Sequence, residues 1–305
     1  MSQVITKPGV YGDISLSRYH EQCCDAPSIS SSGLRTIEQK SPAHFFQTWS
    51  GNPDYEPEAS DALSFGSAAH ALLLGDEAFS ERHIVRPFKD LRTKEAKEWV
   101  ADQLEAGKVV VTQAQMERIY GMVDVLAAHP LKDELIGAGQ VEQSVLWKEG
   151  DVWVKSRMDM RPLGDTLCDL KTTADAHPDA CRRSITNYRY DMQFALGARG
   201  LLVTEGQHIG CHLILFQEKT PPYAITPVEI DETAIAWATK QNERAIGIFQ
   251  ECVRTGDWPG YSMPRPWHLP EWMEKRLTDE EKQGLLPDGH YEQAVAREPA
   301  PLAAE

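Results

Sequence analysis

Apolar and polar positions along this chain give several helical patterns between about residues 28 and 130 and then change to a period of two. Residues 1–27 have weak periodicity and read as an extended lead-in. The run Ser28-Ile-Ser-Ser-Ser-Gly33 offers hydroxyl caps to a short helix that begins near Leu34-Arg-Thr-Ile37. Ser41-Pro42 opens another through Ala43-His-Phe-Phe46, with proline at the first helical position, where no amide donor is required. After a polar loop over 50–61, residues 62–74 form an apolar helix pattern that stops at Gly75, and 113–128 form one that stops before Pro130.

The middle of the chain reads as sheet. Residues 141–147, 152–161 and 166–172 are β-rich and alternate, and the links Lys148-Glu-Gly-Asp151 and Pro162-Leu-Gly-Asp165 carry hairpin turn residues. A helix is expected over 184–203, strands over 208–217 and 223–230, and a helix over 231–254. Residues 256–276, rich in Trp and Pro, read as packed but irregular, and 277–305 as an acidic, disordered tail. The pattern predicts an α/β domain over 28–276: a central, mainly antiparallel mixed sheet flanked by helices, with an N-terminal helical extension.

Composition narrows the class. With 305 residues, 41% apolar and 25% charged, the chain can bury a sizeable core. It has no apolar run of the roughly 18–20 residues that span a bilayer, and MSQVITKPGVYGDIS lacks the basic-then-apolar order of a signal peptide. A cytoplasmic protein without a membrane partner is expected. The six cysteines contain no C-x-x-C pair, so neither structural zinc nor an iron–sulfur cluster is expected. The net charge of −15 argues against nucleic acid as a partner only on average. Over 82–97, Arg82, Arg86, Lys89, Arg92, Lys94 and Lys97 face only Asp90 and Glu95, whereas the acids concentrate in 50–61 and 278–305. That basic segment is a candidate DNA contact, with a solvated helical face as the alternative.

No Walker A loop, G-x-G-x-x-G, HExxH or G-x-S-x-G motif is present, so no nucleotide cofactor is expected. The informative stretch is Arg157 to Thr173. Acid-x-Lys also occurs at Glu38, Glu95 and Glu280, but in helical or polar stretches; only Asp169-Leu-Lys171 lies in a β-patterned run, where both charges share a face. The preceding hairpin brings Asp159 to the adjacent strand. Two acids and a lysine on one sheet surface are costly unless they pair or hold a metal. A cross-strand salt bridge is one reading. The other is a hard divalent cation such as Mg²⁺, held by Asp159, Asp169 and the Leu170 carbonyl, with Lys171 positioning a nucleophile or stabilising a transition state.

These residues carry a resemblance. Gly66-Ser-Ala-Ala-His70, Asp159, Asp169-Leu-Lys171 and Gln193, in that order, resemble the RecB-type branch of the PD-(D/E)XK nuclease superfamily. The stretches Ser28–Gly33, Phe65–Leu74, Tyr190-Asp-Met-Gln193 and Gly256-Asp-Trp-Pro259 are similar, more narrowly, to the nuclease domains of the RecE (exodeoxyribonuclease VIII) family. The resemblance covers about residues 28–276. It implies a restriction-endonuclease-like core, with Asp159, Asp169 and the Leu170 carbonyl as Mg²⁺ ligands, Mn²⁺ as a substitute, and Lys171 as the catalytic lysine. His70 would stand at the second side of the metal, Gln193 would orient water or touch the DNA backbone, and Glu142 would be an outer acid. It further implies 5′→3′ digestion of linear duplex DNA, leaving 3′ strands for a single-strand annealing protein, by a ring-shaped homo-oligomer, expected to be a tetramer.

One position departs from the pattern: the RecB-type tyrosine four residues after the glutamine is here Gly197, and Tyr188 or Tyr190 is the available replacement for a DNA-contacting ring. Two other classes stay open: a non-catalytic DNA-binding module on the same fold, and a single-strand nuclease of the AddB type, whose usual four-cysteine cluster this chain cannot supply.

Overall fold

Two strands of the central sheet part company, and the gap between them places everything that follows. The computed structural model describes residues 4–55, 68–73, 79–132, 140–161, 164–261 and 268–286. In chain order the first unit, which runs to Gly260, contains β1 (Gly9–Tyr11), α1 (Leu16–His20), β2 (Ser28–Ser30), α2 (Ser31–Gln39), α3 (Pro42–Thr48), the helical residues 68–73 (α4), α5 (Phe79–Arg82), β3 (His83–Val85), α6 (Lys94–Glu105), β4 (Val109–Val111) and α7 (Gln113–Ala127). It continues with β5 (Gln140–Glu149), β6 (Val152–Arg161), β7 (Thr166–Thr173), α8 (Pro178–Tyr188), α9 (Tyr190–Glu205), β8 (Cys211–Glu218), β9 (Ile225–Glu229) and α10 (Glu232–Thr255).

The sheet order is β1-β5-β6-β7-β8-β9, with β2 paired to β6. β5 runs antiparallel along all of β6, from Gln140↔Arg161 to Glu149↔Val152. That occupies one edge of β6 completely. On its other edge, β7 pairs at Met160↔Cys168 and β2 pairs in parallel at Ser28↔Trp153 through Ser30↔Lys155. So β6 and β7 diverge from a single shared end, and β2 enters the fork and delivers α2 to its mouth. β7 then pairs with β8 in parallel over its full length, and β8 with β9 antiparallel. The expected mixed α/β sheet is the observed one.

Alternation sorts the side chains. Val145, Trp147, Val152 and Val154 bury one face of the sheet against α2, α3, α9 and α10, while Leu146 and Trp153 face the N-terminal segment with Ile5, Ile14 and Tyr19. A second core, built from Met160, Cys168, Leu170 and Leu215, packs against Ala68, Ala69 and Leu73 of α4 and Met116, Ile119 and Met122 of α7. The caps read from sequence are formed: Ser30 Oγ accepts from the Gly33 N–H, and Ser41 Oγ from the His44 N–H.

Three expectations change. The helix expected over 184–203 is two helices, because Arg189 adopts φ 53°, ψ 50° and breaks the ladder. A non-glycine residue in that region costs on the order of 1–3 kcal/mol, and here Asp191 and Gln241 hold the Arg189 guanidinium. The basic segment is not one helical face: it ends α5, runs through β3 and a turn, and enters α6, and β3 with β4 makes a small parallel sheet. The second unit, taken by itself, holds α11 (Glu271–Lys282), so helix replaces the irregular and disordered assignment across 271–282. Residues 62–67, 74–75, 162–163 and 287–305, on which parts of the predicted helix, turn and tail fall, lie outside the described residues. No helix among the described residues is long and apolar enough to cross a membrane.

Candidate active site

Three charged residues of the Arg157–Thr173 stretch, Asp159, Asp169 and Lys171, meet at the mouth of the fork. Asp169 and Lys171 are two apart on β7 and share a face, while Leu170 between them is fully buried in the second core. Lys171 Nζ forms an ion pair with Asp169 Oδ2. Asp159 comes from β6, and its Oδ2 accepts from the Leu170 N–H at 3.2 Å. That bond uses an amide which the sparse β6–β7 ladder leaves over. From α9, Gln193 Nε2 donates to Asp169 Oδ1 at 2.7 Å. From α4, His70 Nδ1 lies 3.5 Å from Asp159 Oδ2. Tyr190, at the start of α9, sets its ring 5.0 Å from Lys171 Nζ. Sequence placed His70, Asp159, Asp169, Leu170, Lys171, Gln193 and Tyr190 in one site, and the fold brings all seven together.

The electrostatics are those of a crowded, partly desolvated acid pair. Burial and the charge of Asp159 push Asp169 up to about 6, against the pull of Lys171 and His70. Burial would raise Asp159 too, but His70, Lys171, the Leu170 N–H and a hydrogen bond from Asp169 outweigh it, and its carboxyl lies below the usual range. Lys171 is desolvated as well, yet Asp169 and Asp159 hold its ammonium above its ordinary value.

The donor types suit a hard divalent cation, namely two carboxylates beside a backbone carbonyl, and such a cation would offset both the burial and the Asp159 charge that raise Asp169. Among the described residues, no group of three or more His, Cys, Asp and Glu side chains is set to hold a metal ion. A cation here would therefore rest on Asp159, Asp169, the Leu170 carbonyl and water, the partly hydrated manner usual for Mg²⁺, with His70 beside Asp159.

Other assignments part from the site. Glu142, suggested as an outer acid, pairs with Arg157 Nη2 at 2.5 Å, and Arg157 also donates to the Ile14 carbonyl and to Ser144 Oγ. Of the basic segment, Arg92 lies 3.6 Å from Asp90 and Lys94 lies 3.3 Å from Glu98, while Arg86 Nη2 donates to the Lys89 carbonyl. Gly197 explains the missing tyrosine. A Cβ there would stand 3.4–3.6 Å from Leu167, Met158 and Ser156, so the position faces the packed sheet and a small cavity of about 10 Å³ bordered by Asp169 and Gln193. A phenol ring has no room at 197 without repacking.

Arg35 is the residue the sequence reading missed. Its Nη1 donates to the Tyr188 carbonyl at 2.7 Å. Burial lowers its basicity while Tyr190, Asp169, Tyr19 and Asp191 counter that, so the Arg35 charge on α2 lies within electrostatic reach of Asp169. Its only signal in sequence is the capped helix after Ser28–Gly33, which says nothing of where the helix points.

Comparison with known proteins bears on the family and the fold. The family model "PDDEXK-like domain of unknown function (DUF3799)" matches residues 30–263. A crystal structure of a candidate exonuclease from Eubacterium rectale superposes with a TM-score of 0.58 at 15% identity, covering 84% of this chain and 96% of that one. An alkaline exonuclease from Laribacter hongkongensis aligns at 11% identity over 64% of this chain and 96% of its own, with a TM-score of 0.27, too low to bear on the fold. No curated protein matches the chain.

Proposed function

The chain belongs to the PDDEXK-like family DUF3799, and from that premise we propose that it is a Mg²⁺-dependent exodeoxyribonuclease acting on linear double-stranded DNA. The observation that carries the reading is the meeting of Asp159, Asp169 and Lys171 at the β6–β7 fork, with Gln193 hydrogen-bonded to Asp169 and His70 lying 3.5 Å from Asp159. A structural salt bridge needs one acid and one base. Here burial and the neighbouring Asp159 charge together raise Asp169 despite Lys171, an arrangement that costs stability and so points to a use.

Bound Mg²⁺, or Mn²⁺ in its place, would lower the pKa of a water and offset charge on the phosphodiester. The rest falls to the protein. Gln193 fixes the orientation of the Asp169 carboxylate, and the Leu170 N–H that of Asp159. Lys171, its side chain one-fifth exposed, can hold the attacking oxygen or a non-bridging phosphate oxygen. Arg35 adds positive charge on the α2 side. The basic segment from Arg82 to Lys97 offers phosphate contacts farther along the duplex.

The finer reading rests on the resemblance to the RecE family and on the likeness in fold to the candidate exonuclease: 5′→3′ resection that leaves 3′ strands for a single-strand annealing protein, by a ring-shaped homo-oligomer, a tetramer. A non-catalytic DNA-binding module is the second reading, and the complete Asp159, Asp169 and Lys171 set speaks against it. The test is digestion of end-labelled linear duplex and closed circular duplex, with and without Mg²⁺. Metal-dependent loss of the linear form alone is expected. Linearised circles would indicate an endonuclease, and no cutting of either would leave the binding module.

A further inference from the structure

Two tyrosines that a continuous helix would hold apart are stacked beside the site. Residues two apart on an α-helix point to nearly opposite sides, yet the rings of Tyr188 and Tyr190 lie 5.7 Å apart at 26°. The left-handed turn at Arg189 makes this possible, since it ends α8 at Tyr188 and restarts the chain as α9 at Tyr190. The turn is tied down from several directions. Arg35 Nη1 donates to the Tyr188 carbonyl at 2.7 Å, and Gln39 Nε2 to the Asn187 carbonyl at 2.9 Å, so α2 grips the last turn of α8. Arg189 itself is held by both oxygens of Asp191 and by Gln241.

The stack has an inner and an outer member. Tyr190 is half-buried, packs on Phe216 and lies against the Lys171 ammonium. Tyr188 is 59% exposed and its ring stacks on that of Tyr190, so much of the ring is open to solvent. A pinned, strained turn that presents an aromatic face to water, one ring away from Lys171, has no packing purpose. We propose that Tyr188 is a stacking platform for an unpaired nucleobase, next to the phosphate at Lys171, so that the site takes a strand end lifted out of its duplex. This rests on the nuclease reading for its substrate. Stacking on an aromatic ring needs no particular base, because every base has a π-face, which suits a site that digests any sequence. It also gives the chain the ring that Gly197 cannot carry.

The experiment uses the full-length protein with Ca²⁺ in place of Mg²⁺. The probe is a duplex bearing 2-aminopurine in a mismatched terminal pair, placed at the 5′ end in one set and the 3′ end in the other. Wild type is expected to quench the fluorophore at one of the two ends by stacking. Tyr188→Ala should lose that quenching and bind about 5–150-fold more weakly, the range for losing one base–aromatic stack, while Tyr188→Trp should keep both. With Mg²⁺, wild type should digest the mismatched end faster than a fully paired one, and Tyr188→Ala should digest the two alike. Because Tyr188 is exposed, these variants should melt with wild type, and Tyr188→Phe gives a second folded control. Equal quenching and affinity in wild type and Tyr188→Ala overturn the platform. A wild type that binds and quenches through Tyr188 but hydrolyses nothing with Mg²⁺ sinks the nuclease reading and leaves the platform standing.

Discussion

On the proposed nuclease reading, Asp169 is the residue at which a catalytic centre and an ordinary ion pair predict different outcomes. Removing its charge with Asp169→Asn should slow hydrolysis by at least about 10²–10³-fold, the effect of losing one preorganised contact to the reacting group, and should leave the fold within about 1 kcal/mol because a repulsion with Asp159 is relieved. Single-turnover cleavage and thermal unfolding measure the two. Lys171→Met tests the same centre from the other side. Without its ammonium, Asp169, already pushed up to about 6, takes a proton more readily than it stays an unpaired ion. The cost without metal is then on the order of 1–3 kcal/mol. Mg²⁺ should return most of that loss in Lys171→Met, since a ligand that prefers the native state stabilises it by mass action. It should return none in Asp169→Asn, and hydrolysis should stay low in both. A Lys171→Met protein that melts early and gains nothing from Mg²⁺ would mean that the pair is structural.

At the scale of elements, sequence and structure agree wherever the signal is local. Ser30 and Ser41 cap the helices their spacing predicts, and the alternation at 141–161 becomes the long β5–β6 hairpin. Asp169-Leu-Lys171 was legible because a two-residue period by itself puts both charges on one face. The break at Arg189 was not, because the local pattern through 184–203 is helical and only tertiary partners, Asp191 and Gln241, hold an arginine in a left-handed turn. Arg35 was hidden for a related reason: β2 pairs with a strand more than 120 residues later, and no local pattern reports so distant a pairing. That placement depends on Gly33. A Cβ there would come within 2.6 Å of Phe45 Cε2 and 2.9 Å of Ile29 Cγ1, so α2 would have to lift from α3 and β2. Gly33→Ala should lose about 1–3 kcal/mol by overpacking, despite the better helix propensity of alanine, and a urea titration of both proteins would read the shift in midpoint. Because Arg35 lies one half-turn further on, the same variant should also lose cleavage rate at saturating DNA. Full activity in a destabilised Gly33→Ala would show that α2 is scaffold only.

For the whole molecule the proposed function raises the question of how a chain of net charge −15 would meet a polyanion. Its mean field repels DNA, so binding has to rest on places where cations outnumber acids, and the sequence has one extended stretch of that kind, from Arg82 to Lys97. The fold spreads that stretch over a helix end, a strand, a turn and the start of α6, a curved course rather than a stripe. The partners within it are weak: Arg92 is 89% exposed beside Asp90 at 3.6 Å, a pair worth little in water. Each phosphate that a lysine or arginine neutralises adds about 0.9 to the slope of log affinity against log salt on duplex DNA. Replacing Lys89, Arg92 and Lys97 together by alanine should therefore flatten that slope by about two to three and weaken binding uniformly across sequences. The single-turnover rate at saturating DNA should hold, because none of the three contacts Asp159, Asp169 or Lys171 among the described residues. Titrations of a fluorescent duplex between 50 and 200 mM salt, roughly the range over which counterion release dominates, would measure it. An unchanged slope would make 82–97 a solvated surface and leave Arg35 and Lys171 as the main cations that hold the strand.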